Sequence, residues 1–172
     1  GDMTAESTKR LVFAEIERWK RNERLKKVDV LVATPPCQGI SVQNHKKKDE
    51  INRNSLVVES VEMVNTIRPK VFVFENVMAF EKTLCITKDE RVIPIGEHIR
   101  EALGENYVIS SRILNFMNYG ANSSRTRTLV IGVEKSYRET ITPYDLFPTF
   151  RQEKTLREVK IEIGRASCRE RV

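Results

Sequence analysis

The stretch VDVLVATPPC, from Val28 to Cys37, decides the fold. Its apolar part, Val28 to Ala33, predicts a short buried strand. The segment Thr34-Pro35-Pro36 then predicts a stiff turn, because proline fixes φ and has no N–H for a sheet ladder. The thiol of Cys37 is therefore expected directly after a rigid strand end.

A second strand and an intervening helix follow this stretch. The helix is predicted to begin at Asn54-Ser55 and to end near Ile67, and its apolar face consists of Leu56, Val57, Val61 and Val64. Pro69 ends it, and Lys70 to Glu75 (KVFVFE) predicts a second buried strand. A strand–helix–strand unit of this length predicts parallel strands with a right-handed crossover, and hence an α/β fold.

The remaining segments extend this α/β unit on both sides. Residues 4–27 predict an amphipathic helix, with apolar side chains at helical spacing: Leu11, Val12, Ile16 and Trp19. Residues 94–103 predict another helix, closed by Gly104. Residues 107–114 and 128–133 predict two further strands, expected to be antiparallel because only a loop separates them.

Composition narrows the class of protein. The chain has 172 residues, with 30 Lys and Arg against 24 Asp and Glu, a formal charge of +6. A chain of this length predicts one globular domain. Its positive charge permits a nucleic-acid partner without requiring one. No apolar run is long enough to span a membrane, and three cysteines suit a reducing, cytoplasmic setting. Residues 164–172 (GRASCRERV) look like a translated cloning scar, which leaves 1–163 as the domain.

Three groups of side chains stand where an open α/β sheet binds its ligands. Cys37 is a candidate nucleophile, the alternative being an inert buried thiol such as we expect for Cys85 in an ordinary loop. Glu75, at the tip of the second strand, could donate a proton, or could be an ordinary surface carboxylate. Arg125 and Arg127, two apart in an extended segment, share a face and could bind a phosphate or a carbonyl oxygen, or be a solvated pair.

The order of these segments resembles the DNA cytosine-5 methyltransferases, from Gly1 to about Arg157. Four motifs carry the resemblance: PPCQGIS at 35–41, Arg53-x-Ser55-Leu56, Glu75-Asn76-Val77, and Tyr119-Gly120 leading to Arg125-x-Arg127. The resemblance implies a Rossmann-like methyltransferase fold that uses S-adenosylmethionine, with a mostly parallel sheet flanked by helices and incomplete at both ends. A glycine-rich cofactor loop would precede Gly1 and a target-recognition region would follow Val159. Such a piece is expected to be weak or inactive alone.

The same resemblance implies roles for individual residues. Cys37 would attack carbon 6 of a flipped cytosine, Glu75 would contact ring N3 and the exocyclic amine, and Arg125 and Arg127 would hold the base carbonyl. The expected cofactor-binding residues are Asp2, Pro36 and Leu56, and the expected nucleic-acid-binding residues are Gln38, Ser41 and Asn76. No metal is expected. Double-stranded DNA is the implied partner of a monomeric, bacterial or phage-encoded restriction-modification enzyme.

One departure and three alternatives accompany this interpretation. Asn122-Ser123 stands where the family usually has Pro-Gln. A tRNA cytosine-5 methyltransferase of the same family would share the residues for the chemistry, and a nucleic-acid-binding module with a structural cysteine would need none of them. A thiol hydrolase is disfavoured, because His45 and His98 are expected to be ordinary solvated histidines.

Overall fold

A computed structural model describes residues 2–36, 55–121 and 123–150. The helices are α1 (Glu6–Asn22), α2 (Ser55–Ile67) and α3 (Ile95–Leu103). The strands are β1 (Val30–Ala33), β2 (Val71–Val77), β3 (Leu84–Ile86), β4 (Val92–Pro94), β5 (Tyr107–Asn115) and β6 (Thr126–Glu134). Short 3₁₀ turns lie at Phe80–Lys82, Phe116–Tyr119, Lys135–Tyr137 and Pro143–Leu146. The suspected scar at 164–172 lies outside the described residues.

The main sheet has the strand order β1-β2-β6-β5. The β1–α2–β2 unit is parallel, as predicted, with Val30 opposite Val71 and Ala33 opposite Phe74. Strand β6 runs antiparallel to both β2 and β5, so the predicted antiparallel pair is confirmed. The α/β class is confirmed as well. The described sheet is mixed rather than mostly parallel, with one parallel and two antiparallel pairings.

One face of the sheet forms the main core with α2 and α3. Side chains on alternate positions of β2 and β6 point to this face because the period of a strand is two residues. The Phe72 ring lies 4.9 Å from the ring of Phe74 and 5.1 Å from that of Tyr107, measured between centroids. The buried hydroxyl of Tyr107 donates to the carbonyl of Pro69 at 2.8 Å. The aromatic cluster therefore fastens β5 to the turn before β2.

The opposite face carries a smaller cluster of Leu114, Ile131 and Phe147. The 3₁₀ turn Pro143–Leu146 packs over β5 and β6 on this side. The guanidinium of Arg112 lies 4.7 Å from the centre of the Phe147 ring. In the described part of the chain, this face is thus covered by a short turn and not by a long helix.

The first strand differs from its prediction as a buried strand. Val30 is 53% exposed and Val32 is 64% exposed, whereas Leu31 and Ala33 pack against the core. Within the described residues β1 pairs with β2 alone, so it is an edge strand and only its alternate side chains are covered. Its apolar sequence predicted burial on both faces, but that would need a layer on each side.

The hairpin β3–β4 was not predicted. Each strand has three residues, too few for a period-two pattern to be recognised. Cys85, expected in an ordinary loop, instead lies in β3; it is fully buried, as its inert role requires. Burial raises the pKa of its thiol to about 11.

The expectation that His98 is a solvated histidine is wrong, because the residue is buried. On α3 it lies three residues after Ile95 and beside Ile99, so helical spacing places it on the core face. Among the described residues its Nε2 atom has no hydrogen-bond partner. Burial lowers the pKa of His98, which favours the neutral ring.

No helix in the described ranges is both long and apolar enough to cross a membrane.

Candidate active site

Three predicted site segments converge at one edge of the main sheet. The carboxyl ends of the parallel strands β1 and β2 meet there, and β6 begins there because it runs the other way. The register places Val77 opposite Arg127 at this edge. Pro35-Pro36, Glu75 and Arg127 are therefore neighbours at the carboxyl ends of the parallel strands, where open α/β sheets bind their ligands.

The side chains of Glu75 and Arg127 form an ion pair, with Nε of the arginine 3.1 Å from Oε1 of the glutamate. Glu75 lies opposite Leu129, two residues along β6, so its side chain shares a face with Arg127. The side chains are 26% and 20% exposed, respectively, so the pair is open on one side. Arg127 also donates from Nη1 to the carbonyl of Thr126 at 2.7 Å.

Arg125 is placed differently from Arg127. Its side chain is exposed and contacts no acidic or hydrogen-bonding group in the described parts of the chain. Its carbonyl accepts a hydrogen bond of 3.0 Å from the N–H of Phe116, which fixes the backbone where β6 begins. Gly120, with φ of 84°, supplies the left-handed residue that the turn before it needs. The structure thus brings Arg127, but not Arg125, to Glu75.

Asn76 is buried between the strand ends. Its Nδ2 donates to the carbonyl of Pro35 at 2.8 Å, and its Oδ1 accepts from the N–H of Val77 at 2.8 Å. Both ends of the amide therefore contact backbone. Its predicted contact with nucleic acid stays a prediction.

A groove of 1180 Å³ opens beside this edge, between α1, β1 and α2. All three predicted cofactor residues, Asp2, Pro36 and Leu56, line it. Its wall on α1 includes the whole predicted apolar stripe, Leu11, Val12, Ile16 and Trp19, together with Glu15 and Lys20. The groove exceeds the roughly 300–1,000 Å³ of typical small-molecule sites. It has room for a nucleoside-sized cofactor.

The donor set of the groove fits S-adenosylmethionine. Mostly apolar walls suit an adenine ring, and Asp2 supplies an acceptor for its amino group. Oδ1 of Asp2 accepts hydrogen bonds from the backbone N–H and the hydroxyl of Thr4, at 2.9 and 2.8 Å. These bonds lower the pKa of Asp2 and keep it ionised. The groove residues would thus hold the cofactor by one polar contact and apolar packing.

Several predicted site residues lie outside the described residues, namely Cys37, Gln38 and Ser41. Asn122 of the departure from the family pattern lies outside them too. Pro36, which precedes Cys37 directly, is described and lines the groove. Among the described residues no group of acidic, histidine or cysteine side chains could hold a metal ion.

Comparison with known proteins agrees with this geometry. Residues 5–166 match the family model described as C-5 cytosine-specific DNA methylase. The chain belongs to this family. The type II methyltransferase M.HpaII of Haemophilus parainfluenzae is 29% identical over 163 residues, which cover 91% of this chain and 41% of that protein. The type II methyltransferase M1.HgaI of Avibacterium volantium is 33% identical over 108 residues, 60% of this chain and 30% of that protein.

The fold agrees as well. A prophage-encoded E. coli protein, described as a putative DNA modification methyltransferase, matches this chain with a TM-score of 0.58. The match covers 84% of this chain and 37% of that one, at 24% sequence identity. This likeness confirms the predicted Rossmann-like methyltransferase fold. The chain spans less than half of the length of each of these three proteins.

Proposed function

We propose that the gene product containing this chain transfers a methyl group from S-adenosylmethionine to carbon 5 of cytosine in duplex DNA, in a restriction-modification system. The observation that carries the proposal is the Glu75–Arg127 ion pair, at the same sheet edge as the Pro35-Pro36 turn that leads to Cys37. The groove beside it, lined by the three cofactor candidates, adds support. Bacterial relatives named as type II methyltransferases favour DNA over tRNA and a cytoplasmic setting.

The chemistry begins with the thiolate of Cys37. Carbon 5 of cytosine is a poor nucleophile until sulfur adds at carbon 6 and turns the ring into an enamine. Negative charge then gathers on the ring, and Glu75 relieves it by protonating or hydrogen-bonding N3. Arg127 orients the Glu75 carboxylate and keeps other N–H donors for the base carbonyl. A stacked base cannot be reached, so the cytosine must be flipped out.

The cofactor supplies an electrophilic methyl group for carbon 5 when it is bound. Asp2, Pro36 and Leu56 would hold it beside the sheet edge. Transfer would break the sulfonium–methyl bond and leave S-adenosylhomocysteine. The proton on carbon 5 then passes to water, and its electrons rebuild the ring double bond as the Cys37 sulfur leaves carbon 6. A proton given to N3 returns to Glu75. The enzyme is thereby returned to its thiolate form and the product is 5-methylcytosine.

Trapping with 5-fluorocytosine tests the proposal. A duplex containing this base is incubated with the full-length gene product and S-adenosylmethionine. Fluorine cannot leave as a proton does, so the Cys37 adduct should persist in denaturing gels, and Cys37→Ala should abolish it. A parallel incubation with tRNA containing the same base separates the two substrates. An adduct with tRNA alone would overturn the assignment of DNA as the substrate. The absence of an adduct with both nucleic acids would overturn the assignment as an enzyme.

A further inference from the structure

Asn76 is a buried polar residue on the core face of strand β2. Its side chain points to the same face of β2 as Phe72 and Phe74, since alternate residues share a face. It is only 5% exposed. A buried amide costs about 1 to 3 kcal/mol unless it is hydrogen-bonded, so its partners explain its presence. Those partners are the carbonyl of Pro35 and the N–H of Val77.

The contact with Pro35 joins two chain segments 41 residues apart. The carbonyl that it holds belongs to the peptide plane between Pro35 and Pro36. That plane is rigid, and the ring of Pro36 fixes the next dihedral, φ. One soft dihedral, ψ of Pro36, then separates the anchored plane from the α-carbon of Cys37.

Glu75, the proposed acid, immediately precedes Asn76 on the same strand. Its carboxylate faces Arg127 on one side of the sheet, and the Asn76 amide faces the Pro35 carbonyl on the other. Both side chains depend on the backbone of β2, which is held between β1 and β6. Strand β2 thus positions both the proposed acid, Glu75, and the Pro35 turn that precedes Cys37.

We propose that Asn76 is a positioning residue, whose hydrogen bond to Pro35 sets the approach of Cys37 relative to Glu75. This role rests on the proposed function. It requires no direct contact between Asn76 and the substrate. It also distinguishes Asn76 from a residue that merely fills the core, because its loss should change the chemistry of the thiol as well as stability.

Thr128 offers a matched control. It lies opposite Asn76 in the strand register and is also buried, at 1% exposure. Its hydroxyl donates to the carbonyl of Met78 at 3.1 Å, so it holds the segment after β2 and not the Pro35 turn. Thr128→Val removes a buried hydrogen bond of similar depth and leaves the Pro35 contact in place.

The first measurement is the pH profile of Cys37 alkylation by iodoacetamide, without DNA. The Cys37 peptide is quantified by mass spectrometry, which separates it from the other cysteines. Asn76→Ala and the isosteric Asn76→Asp should move the profile toward that of the urea-unfolded chain, and Thr128→Val should keep the wild-type profile. Thermal unfolding establishes that the variants are folded; if the alanine variant is not, the aspartate variant decides.

The second measurement is the rate of adduct formation with 5-fluorocytosine duplex in the full-length gene product. Asn76→Asp should slow it about 10- to 100-fold at saturating DNA, the scale of a misplaced reacting group. Unchanged profiles and rates in both Asn76 variants would overturn the proposal. So would an equal effect of Thr128→Val, or a wild-type profile equal to that of the unfolded chain. A wild-type protein without an adduct contradicts the proposed function instead, and the alkylation profile still tests Asn76.

Discussion

The guanidinium of Arg127 reaches diagonally across two antiparallel strands to the carboxylate of Glu75, with 3.1 Å between Nε and Oε1. The pair is partly buried, and it closes the sheet edge at which Pro35 and Pro36 also lie. Arg127 pairs with Oε1 of the carboxylate, and within the described residues Oε2 has no partner. The arrangement is therefore suited to present an oriented acid to a ligand.

Replacing Glu75 by glutamine tests that orientation. Glu75→Gln keeps the shape of the side chain but removes its acidity, so methyl transfer to duplex DNA should fall about 10²- to 10⁴-fold. Tritium transfer from labelled S-adenosylmethionine measures this in the full-length gene product. Glu81→Gln is the control, because Glu81 pairs with the exposed Arg100 on the surface. Activity within twofold of wild type in Glu75→Gln would contradict the assigned role.

A double-mutant cycle extends the same test to the ion pair. Glu75→Gln, Arg127→Lys and the double variant should show a coupling of about 0.5 to 3 kcal/mol in transition-state free energy, the range for residues in contact. Lysine keeps the charge but lacks the planar fork that arginine offers. Additive effects would mean that Arg127 acts on the base independently of Glu75. The rates of adduct formation supply the four corners of the cycle.

The cofactor groove gives a second prediction. Asp2→Ala should weaken the binding of S-adenosylhomocysteine about tenfold or more, since a hydrogen bond to a charged group contributes about 1.5 to 3 kcal/mol. Calorimetry with the full-length gene product measures the dissociation constant. Asp29→Asn is the control, because Asp29 also lines the groove but its carboxylate is paired with Lys70. Equal weakening in the two variants would exclude a specific contact by Asp2.

Much of the fold and part of the site could be predicted from the sequence. The parallel strands β1 and β2 are apolar runs bounded by prolines, which makes them easy to recognise. The pairing of Glu75 with Arg127 could not be derived from spacing, because it depends on the register between β2 and β6. The partner of Asn76 could not be derived either, since 41 residues separate it from Pro35. Both contacts depend on which strands pair and in which register, and the spacing of residues along the sequence does not specify that.

Gly132 gives a prediction about stability. Its close approach to Phe72 could not be recognised from the spacing of residues in the sequence. A Cβ atom at this position would lie 2.0 Å from the Phe72 ring, too close for any real contact. Gly132→Ala should lower the free energy of unfolding by about 1 to 3 kcal/mol, the usual cost of overpacking. Urea denaturation followed by circular dichroism measures the loss. Ser110→Ala, at a half-buried position on β5, should change stability by much less.

The buried His98 predicts a pH dependence of stability with a definite sign. Burial lowers its pKa in the folded chain, so the unfolded chain binds the proton first as the pH falls. Its contribution to stability is therefore complete above about pH 6.5 and is lost below it, by up to about 1.4 kcal/mol per pH unit. Urea midpoints at pH 5.5 and 7.5 should differ less in His98→Gln than in wild type.

His45→Gln is the matched control for His98, as it removes the other histidine of the chain and should retain the wild-type difference. Three carboxylates act on His98, namely Glu62, Glu101 and Asp89; they oppose the effect of burial and raise its pKa, whereas Arg91 lowers it. Removing one of them with Glu62→Gln should therefore widen the difference between the two pH values. A smaller difference in that variant would mean that the neighbouring carboxylates, and not the desolvated ring, dominate the titration.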